Sequence, residues 1–114
     1  MKVRITLALI ASLISFSGYA ATDEQRFKAC QAKLIKANES GALQDIGWTP
    51  PSEPKVLVGE IFFKLPIDVK EGFVQTINCF LSAAQVGMCV DFDVRSGLTG
   101  KPVGRFAKCH FEMN

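Results

Sequence analysis

The sequence predicts a small α+β domain in which an antiparallel sheet of about three strands packs against two helices, in the order α-β-α-β-β. Three observations predict this class. Two stretches repeat apolar residues at three- and four-residue intervals, two stretches near the C-terminus alternate apolar and polar residues, and four cysteines are available to staple the domain. A chain of 114 residues is long enough for one core and short enough for disulfides to add substantially to its stability.

The first 20 residues have the pattern of a secretory signal peptide. Two basic residues precede an apolar run over residues 5–14, and Gly18 and Ala20 supply the small side chains of a cleavage site. The apolar run of about ten residues is too short to span a bilayer, which takes roughly twenty. We therefore expect residues 1–20 to be removed and residues 21–114 to form one domain, which lies in the bacterial periplasm with no stable membrane insertion.

Loss of the signal peptide also changes the charge of the chain. The full sequence has 13 basic and 11 acidic residues, and Lys2 and Arg4 leave with the signal peptide, so the mature chain is formally neutral. A neutral chain lacks the basic surplus that attracts nucleic acid or an anionic membrane surface. We expect neither of these as a partner.

Residues 22–42 are expected to form the first helix, because their apolar residues recur at helical spacing. Thr22 or Asp23 is placed to cap its start, and Gly41 ends the pattern. The apolar stripe comprises Phe27, Cys30, Leu34 and Ala37. Cys30 is therefore expected to face the interior.

The next stretch, residues 41–55, is rich in Gly and Pro and predicts an irregular connection that carries Trp48. Residues 55–58 follow as a short strand. Residues 60–66 fit either a helical or a strand period at this length, and we favour a short strand followed by a turn.

Residues 68–84 give the clearest helical pattern in the chain. Asp68 and Glu71 have the spacing of a capping box, which satisfies two backbone N–H groups at the helix start. The apolar stripe of this helix comprises Val69, Phe73, Ile77, Phe80 and Ala84. Cys79 lies on the opposite shoulder among small residues, which would let another helix approach closely.

Two alternating stretches near the C-terminus, residues 88–94 and 103–113, predict a hairpin around a glycine-containing bend. We expect charge pairs on its outer face, because Asp91 and Asp93 face basic residues on the return strand. No third carboxylate accompanies them, which argues against a calcium site. The expected charge partners are Arg105 and Lys108.

All four cysteines lie in the exported part of the chain, where an oxidising compartment favours disulfides. Positions on two facing helices favour a Cys30–Cys79 bond, which leaves Cys89 and Cys109 to cross the hairpin. Strict alternation points Cys89 and Cys109 to opposite faces, so this scheme needs a local irregularity near Cys89. Two other schemes therefore remain open: Cys30–Cys109 with Cys79–Cys89, and Cys30–Cys89 with Cys79–Cys109.

The sequence predicts no metal site, no cofactor and no catalytic residues. Cys109 and His110 are adjacent but would point to opposite faces of a strand, and the chain has neither a second histidine nor a C-x-x-C pair. No serine occurs in a recognisable nucleophile motif, and a catalytic triad is not expected with the single histidine on an outer face.

By elimination, the sequence favours an exported non-catalytic binding protein that acts through a protein–protein surface, as an inhibitor, an immunity factor or an accessory subunit. Loops on a stapled scaffold are the usual place for such contacts. The expected contact residues are Trp48 in the first loop and Arg95, Leu98 and Lys101 around the hairpin tip. The alternative is a carrier of small molecules or lipids in the cell envelope, because nine phenylalanines would permit a cavity.

Overall fold

The computed structural model describes residues 22–114, so the predicted signal peptide lies outside the described residues. The fold is α+β, as predicted, but its sheet has five strands instead of about three. The elements are α1 (Asp23–Ser40), β1 (Leu43–Gly47), β2 (Lys55–Val58), α2 (Glu60–Phe63), α3 (Ile67–Leu81), β3 (Phe92–Ser96), β4 (Pro102–Ala107) and β5 (His110–Met113).

The strands lie side by side in the order in which they occur in the chain, β1-β2-β3-β4-β5. Three neighbouring pairs are antiparallel, and β2 pairs with β3 in parallel. A parallel pair requires a crossover, which α2 and α3 supply by returning the chain along the sheet. The predicted all-antiparallel sheet is therefore wrong, because one of its pairs is joined by a crossover.

The first strand was missed by the sequence prediction, which assigned residues 41–55 to an irregular connection. β1 pairs with β2 through Leu43↔Val58 and Gly47↔Lys55, and a bulge at Gln44 interrupts the register. The bulge breaks the alternation by which a strand is recognised.

The first helix agrees with the prediction. Thr22 forms a capping box with Gln25, and Gly41 ends the helix at φ 93° in the left-handed region. Leu34 is buried, and the Phe27 ring stacks on Phe80 of α3 with centroids 5.4 Å apart.

The crossover differs from the prediction at three points. The predicted strand after Gly59 is the short helix α2, and α3 begins after Pro66, which provides no side-chain cap. The predicted capping box of Asp68 and Glu71 therefore does not form, because the helix starts before Asp68. At its other end α3 stops at Leu81 instead of Ala84.

The predicted return strand of residues 103–113 is two strands. Lys108 (φ 54°) and Cys109 (φ 66°) form a two-residue turn, and Ala107 pairs with His110 across it. Positive φ at both central residues is what a type I′ hairpin turn requires. β4 and β5 are consequently antiparallel neighbours, and β5 forms the outer edge of the sheet.

The core is a single cluster between the helices and one face of the sheet. Phe62, Phe92 and Phe106 are its largest fully buried side chains, and the rings of Phe92 and Phe106 stack across β3 and β4 with centroids 5.2 Å apart. Within residues 22–114, every helix is too short or too polar to cross a membrane.

Candidate contact surfaces

Two disulfides join distant parts of the fold. Cys30–Cys79 links α1 to α3 with Cα atoms 6.2 Å apart, and Cys89–Cys109 links the segment before β3 to the β4–β5 turn with Cα atoms 5.3 Å apart. This is the scheme favoured by the sequence. The expected conflict of faces does not arise, because Cys89 and Cys109 both lie outside regular strands. Two disulfides fit an extracellular or exported protein.

The loop between β1 and β2, residues 48–54, holds Trp48 in a defined orientation. The indole Nε1–H of Trp48 donates to the Ser52 carbonyl oxygen at 2.8 Å, and the Ser52 N–H donates to the Thr49 carbonyl at 3.1 Å. The Pro50–Pro51 peptide bond is cis, and Pro54 is buried. Trp48 itself remains 44 % exposed. Its polar edge is therefore satisfied within the loop while much of its ring faces solvent.

A charge network attaches this loop to the sheet. Arg105 on β4 donates to both carboxylate oxygens of Glu53, at 3.0 and 2.9 Å, and to Asp93 on β3 at 2.8 Å. The hydrogen bonds from the Arg105 guanidinium lower the pKa of Glu53, and the two carboxylates raise the pKa of Arg105. Glu53 and Arg105 are thus charged at neutral pH. The predicted Asp93–Arg105 pair is confirmed, whereas Asp91 accepts from the Lys108 backbone N–H at 3.1 Å.

A groove of about 300 Å³ lies beside Trp48, between the loop and residues 89–91. Its loop wall consists of Trp48, three prolines and Glu53. Its other wall is fixed by the buried Asn78 of α3, which donates to the Met88 carbonyl at 3.1 Å and accepts from the Val90 N–H at 2.7 Å. The Cys89–Cys109 bond holds the same wall covalently.

The β3–β4 turn carries the other predicted contact residues. The Ser96 hydroxyl oxygen accepts from the Leu98 and Thr99 N–H groups at 3.1 and 3.3 Å, and Arg95 donates to the Gly100 carbonyl at 3.0 Å. Leu98 is 73 % exposed at the tip of this turn. Arg95 therefore shapes the turn while Leu98 and Lys101 project from it.

The structure does not bring Trp48 together with the turn. Lys55 and Asp93 pair at the start of the parallel strands, next to the Trp48 loop, and Val58 and Ser96 pair at their end, next to the turn. The four residues of β2 span roughly 10 Å between these points. We call the two regions the Trp48 end (residues 48–54, 83–91 and 108–109) and the apolar end (residues 59–67 and 97–101).

Besides the predicted contact residue Leu98, the apolar end carries exposed apolar side chains that the sequence analysis missed. The Gly97 N–H donates to the Val58 carbonyl at 2.8 Å, which places Leu98 at the same end of the sheet as α2. The exposed apolar side chains here are Ile61, Phe63, Ile67 and Leu98, which are 36, 40, 56 and 73 % exposed. The sequence did contain a signal for this patch. Residues 61–67 include five apolar residues, and one short element cannot bury all of them, so some were bound to be exposed.

The single histidine lies on the sheet edge. The side chain of His110 is 70 % exposed, and its Nε2 is 3.9 Å from a carboxylate oxygen of Glu112. Among residues 22–114, no three His, Cys, Asp or Glu side chains come close enough to hold one metal ion. Comparison with protein families, with curated proteins and with solved structures finds no match to this chain.

Proposed function

We propose that the mature chain is an exported, non-catalytic binding protein of the bacterial periplasm, and that it holds a protein partner at the Trp48 groove. The observation that carries the proposal is Trp48 itself. Its ring is half-exposed, and its orientation is fixed by the hydrogen bond to Ser52. Tryptophan is among the residues most enriched at the energetic centre of protein interfaces.

The loop is prepared for binding before a partner arrives. Glu53 and Arg105 attach it to the sheet, and its three prolines restrict the backbone. A loop ordered in advance loses less conformational entropy on association than a flexible loop does. The groove also offers Asp91 and Glu53 beside the indole, so the partner is expected to present an apolar side chain flanked by a basic or hydrogen-bond-donating group.

The test uses immobilised mature protein and a periplasmic extract. The wild-type protein is expected to retain a stoichiometric protein partner, and Trp48→Ala is expected to weaken its affinity about thirtyfold, as for an interface hot spot. Ile35→Ala is the matched control, because Ile35 is an apolar side chain on α1 that is 54 % exposed. Equal affinities for Trp48→Ala and wild type would contradict the proposal.

Leu98→Ala separates the two ends in the same assay. Little change is expected, because the proposal places the partner at the Trp48 end. A loss confined to Leu98→Ala would move the contact surface to the apolar end. A co-purifying lipid or small molecule, detected by solvent extraction and mass spectrometry of the purified protein, would instead favour a carrier.

A further inference from the structure

The two disulfides differ in the backbone that presents their cysteines. Cys30 and Cys79 lie within the long helices α1 and α3, in regular conformation. Cys109 instead has a φ of 66° and follows Lys108 at 54°. Neither residue is Gly, Asn or Asp, so each Cβ is crowded by the neighbouring backbone in this left-handed region.

The segment that leads to Cys89 has the same character. Ala83 and Ala84 follow α3 with φ values of 55° and 62°, and Gly87 has a φ of 79°. Hydrogen bonds at the end of α3 hold these two alanines, because the Ala83 N–H donates to the Phe80 carbonyl at 3.2 Å and the Ala84 N–H donates to the Cys79 carbonyl at 2.7 Å. The strain that bears on the Cys89–Cys109 bond is therefore that of the Lys108–Cys109 turn, and opening the bond removes a restraint on this turn.

Access and charge also distinguish the second disulfide. Cys109 is exposed, whereas the other three cysteines are half-buried. Lys108 adds a positive charge next to Cys109, which attracts the negatively charged thiolate of a reductant. Because Cys109 is the exposed cysteine, it is the residue at which we expect a thiolate to attack.

From strain, access and charge together, we infer that Cys89–Cys109 is a thiol–disulfide exchange site for dithiol reductants, while Cys30–Cys79 stays oxidised as a structural bond. A thiolate of the reductant attacks the Cys109 sulfur, the sulfur–sulfur bond breaks, and Cys89 leaves as a thiolate that takes up a proton. The second thiol of the reductant then attacks the mixed disulfide. The reductant ends as an internal disulfide, having given two electrons, and Cys109 is released as a thiolate that is protonated in turn.

Exchange at this site also changes the Trp48 groove. Cys89, Val90 and Asp91 form the groove wall opposite the indole, so reduction removes a covalent restraint from that wall. This regulatory consequence rests on the proposed binding function, whereas the order in which the two disulfides are reduced does not. Trp48 is the only tryptophan in the chain, so its fluorescence reports on the groove alone.

The test is graded reduction of the native mature protein with dithiothreitol, followed by alkylation with iodoacetamide and peptide mass spectrometry. We expect Cys89 and Cys109 to be alkylated at least about tenfold faster than Cys30 and Cys79. The fluorescence emission of Trp48 is expected to shift at the same rate as Cys89 and Cys109 are alkylated. Simultaneous reduction of both bonds, or reduction of Cys30–Cys79 first, would overturn the assignment. Alkylation of Cys89 and Cys109 with unchanged emission would overturn the link to the groove.

Two substitutions of one residue test the origin of the lability. Lys108→Gly and Lys108→Ala both remove the charge, but only glycine accepts positive φ without crowding. Reduction of Cys89–Cys109 is expected to be about fivefold slower in Lys108→Gly than in Lys108→Ala, because the strain is smaller. Equal rates in the two variants would rule out backbone strain as the cause.

Discussion

The two ends of the sheet are held by different kinds of contact. At the Trp48 end, Glu53–Arg105, the Asn78 hydrogen bonds and Cys89–Cys109 each attach one segment through side chains. At the apolar end, the Ser96 and Arg95 side chains shape the β3–β4 turn itself, but the elements are joined to one another through their backbones. The Gly59 N–H donates to the Ala42 carbonyl at 2.9 Å, and the Gly97 N–H donates to the Val58 carbonyl at 2.8 Å.

This difference separates contacts that shape a surface from contacts that define the fold. Side-chain ties can be removed one at a time while the strands stay paired. The two backbone hydrogen bonds at the apolar end connect the C-terminal ends of α1 and β2 with the β3–β4 turn. A substitution that disturbs these bonds therefore affects three elements at once. We therefore expect that substitutions at the apolar end lower the stability of the whole fold. Substitutions at the Trp48 end are expected to disorder only the segment that they touch.

The largest effect is expected from Gly59→Ala at the apolar end. A Cβ at this position would lie 2.1 Å from the Gly41 carbonyl oxygen, so the backbone of α1 or β2 must move. We expect a loss of about 3 kcal/mol in the free energy of unfolding, measured by urea denaturation of the oxidised mature protein.

Gly72→Ala is the control for this substitution. Gly72 lies within α3, and an added Cβ there meets no atom within 4 Å. Alanine is the better helix former, so this variant is expected to gain about 1 kcal/mol. Similar stabilities for the two alanine variants would contradict the claim that the backbone approach at Gly59 holds the fold together.

A smaller and local effect is expected from Glu53 at the Trp48 end. Arg105 holds the pKa of Glu53 below its usual value of 4.5, so the folded protein favours the ionised carboxylate. The contribution of this pair is complete above the usual pKa and is lost as the pH falls through the lowered one. Because both side chains are largely exposed and screened by solvent, the effect on global stability is expected to be slight.

The measurement is Trp48 emission during acidification from neutral pH to below pH 4. The wild-type protein is expected to change its emission before it unfolds, because the loop comes away from Arg105. Glu53→Gln is expected to show the altered emission already at neutral pH, with a nearly unchanged urea midpoint. An unfolding midpoint that falls sharply in Glu53→Gln would mean that the loop is part of the cooperative core.

The sequence predicted the elements whose signal is long or local. The apolar stripe of α1, its Thr22 cap and the strand of residues 55–58 all follow from spacing within one segment. The missed elements have weaker signals. α2 has four residues, too few for periodicity, and the Lys108–Cys109 turn lacks the Asn-Gly chemistry that marks type I′ turns.

The candidate site was predicted only in part for a related reason. Trp48 was identified because an aromatic residue in a proline-rich loop is visible in the sequence. The opposite wall of its groove depends on Asn78 and on the bond between Cys89 and Cys109, which are contacts over long sequence distances. Only the fold shows that Leu98 and Trp48 belong to different ends.

The central claim is that the Trp48 end is the surface that meets a partner. The most direct measurement is site-specific photo-crosslinking in intact cells, with the crosslinking residue placed at Thr49 beside Trp48, or at Leu98 or Ile35 in parallel. The account predicts one dominant protein adduct from position 49 and none of comparable yield from position 35. Adducts from position 98 or 35 with none from position 49 would contradict it.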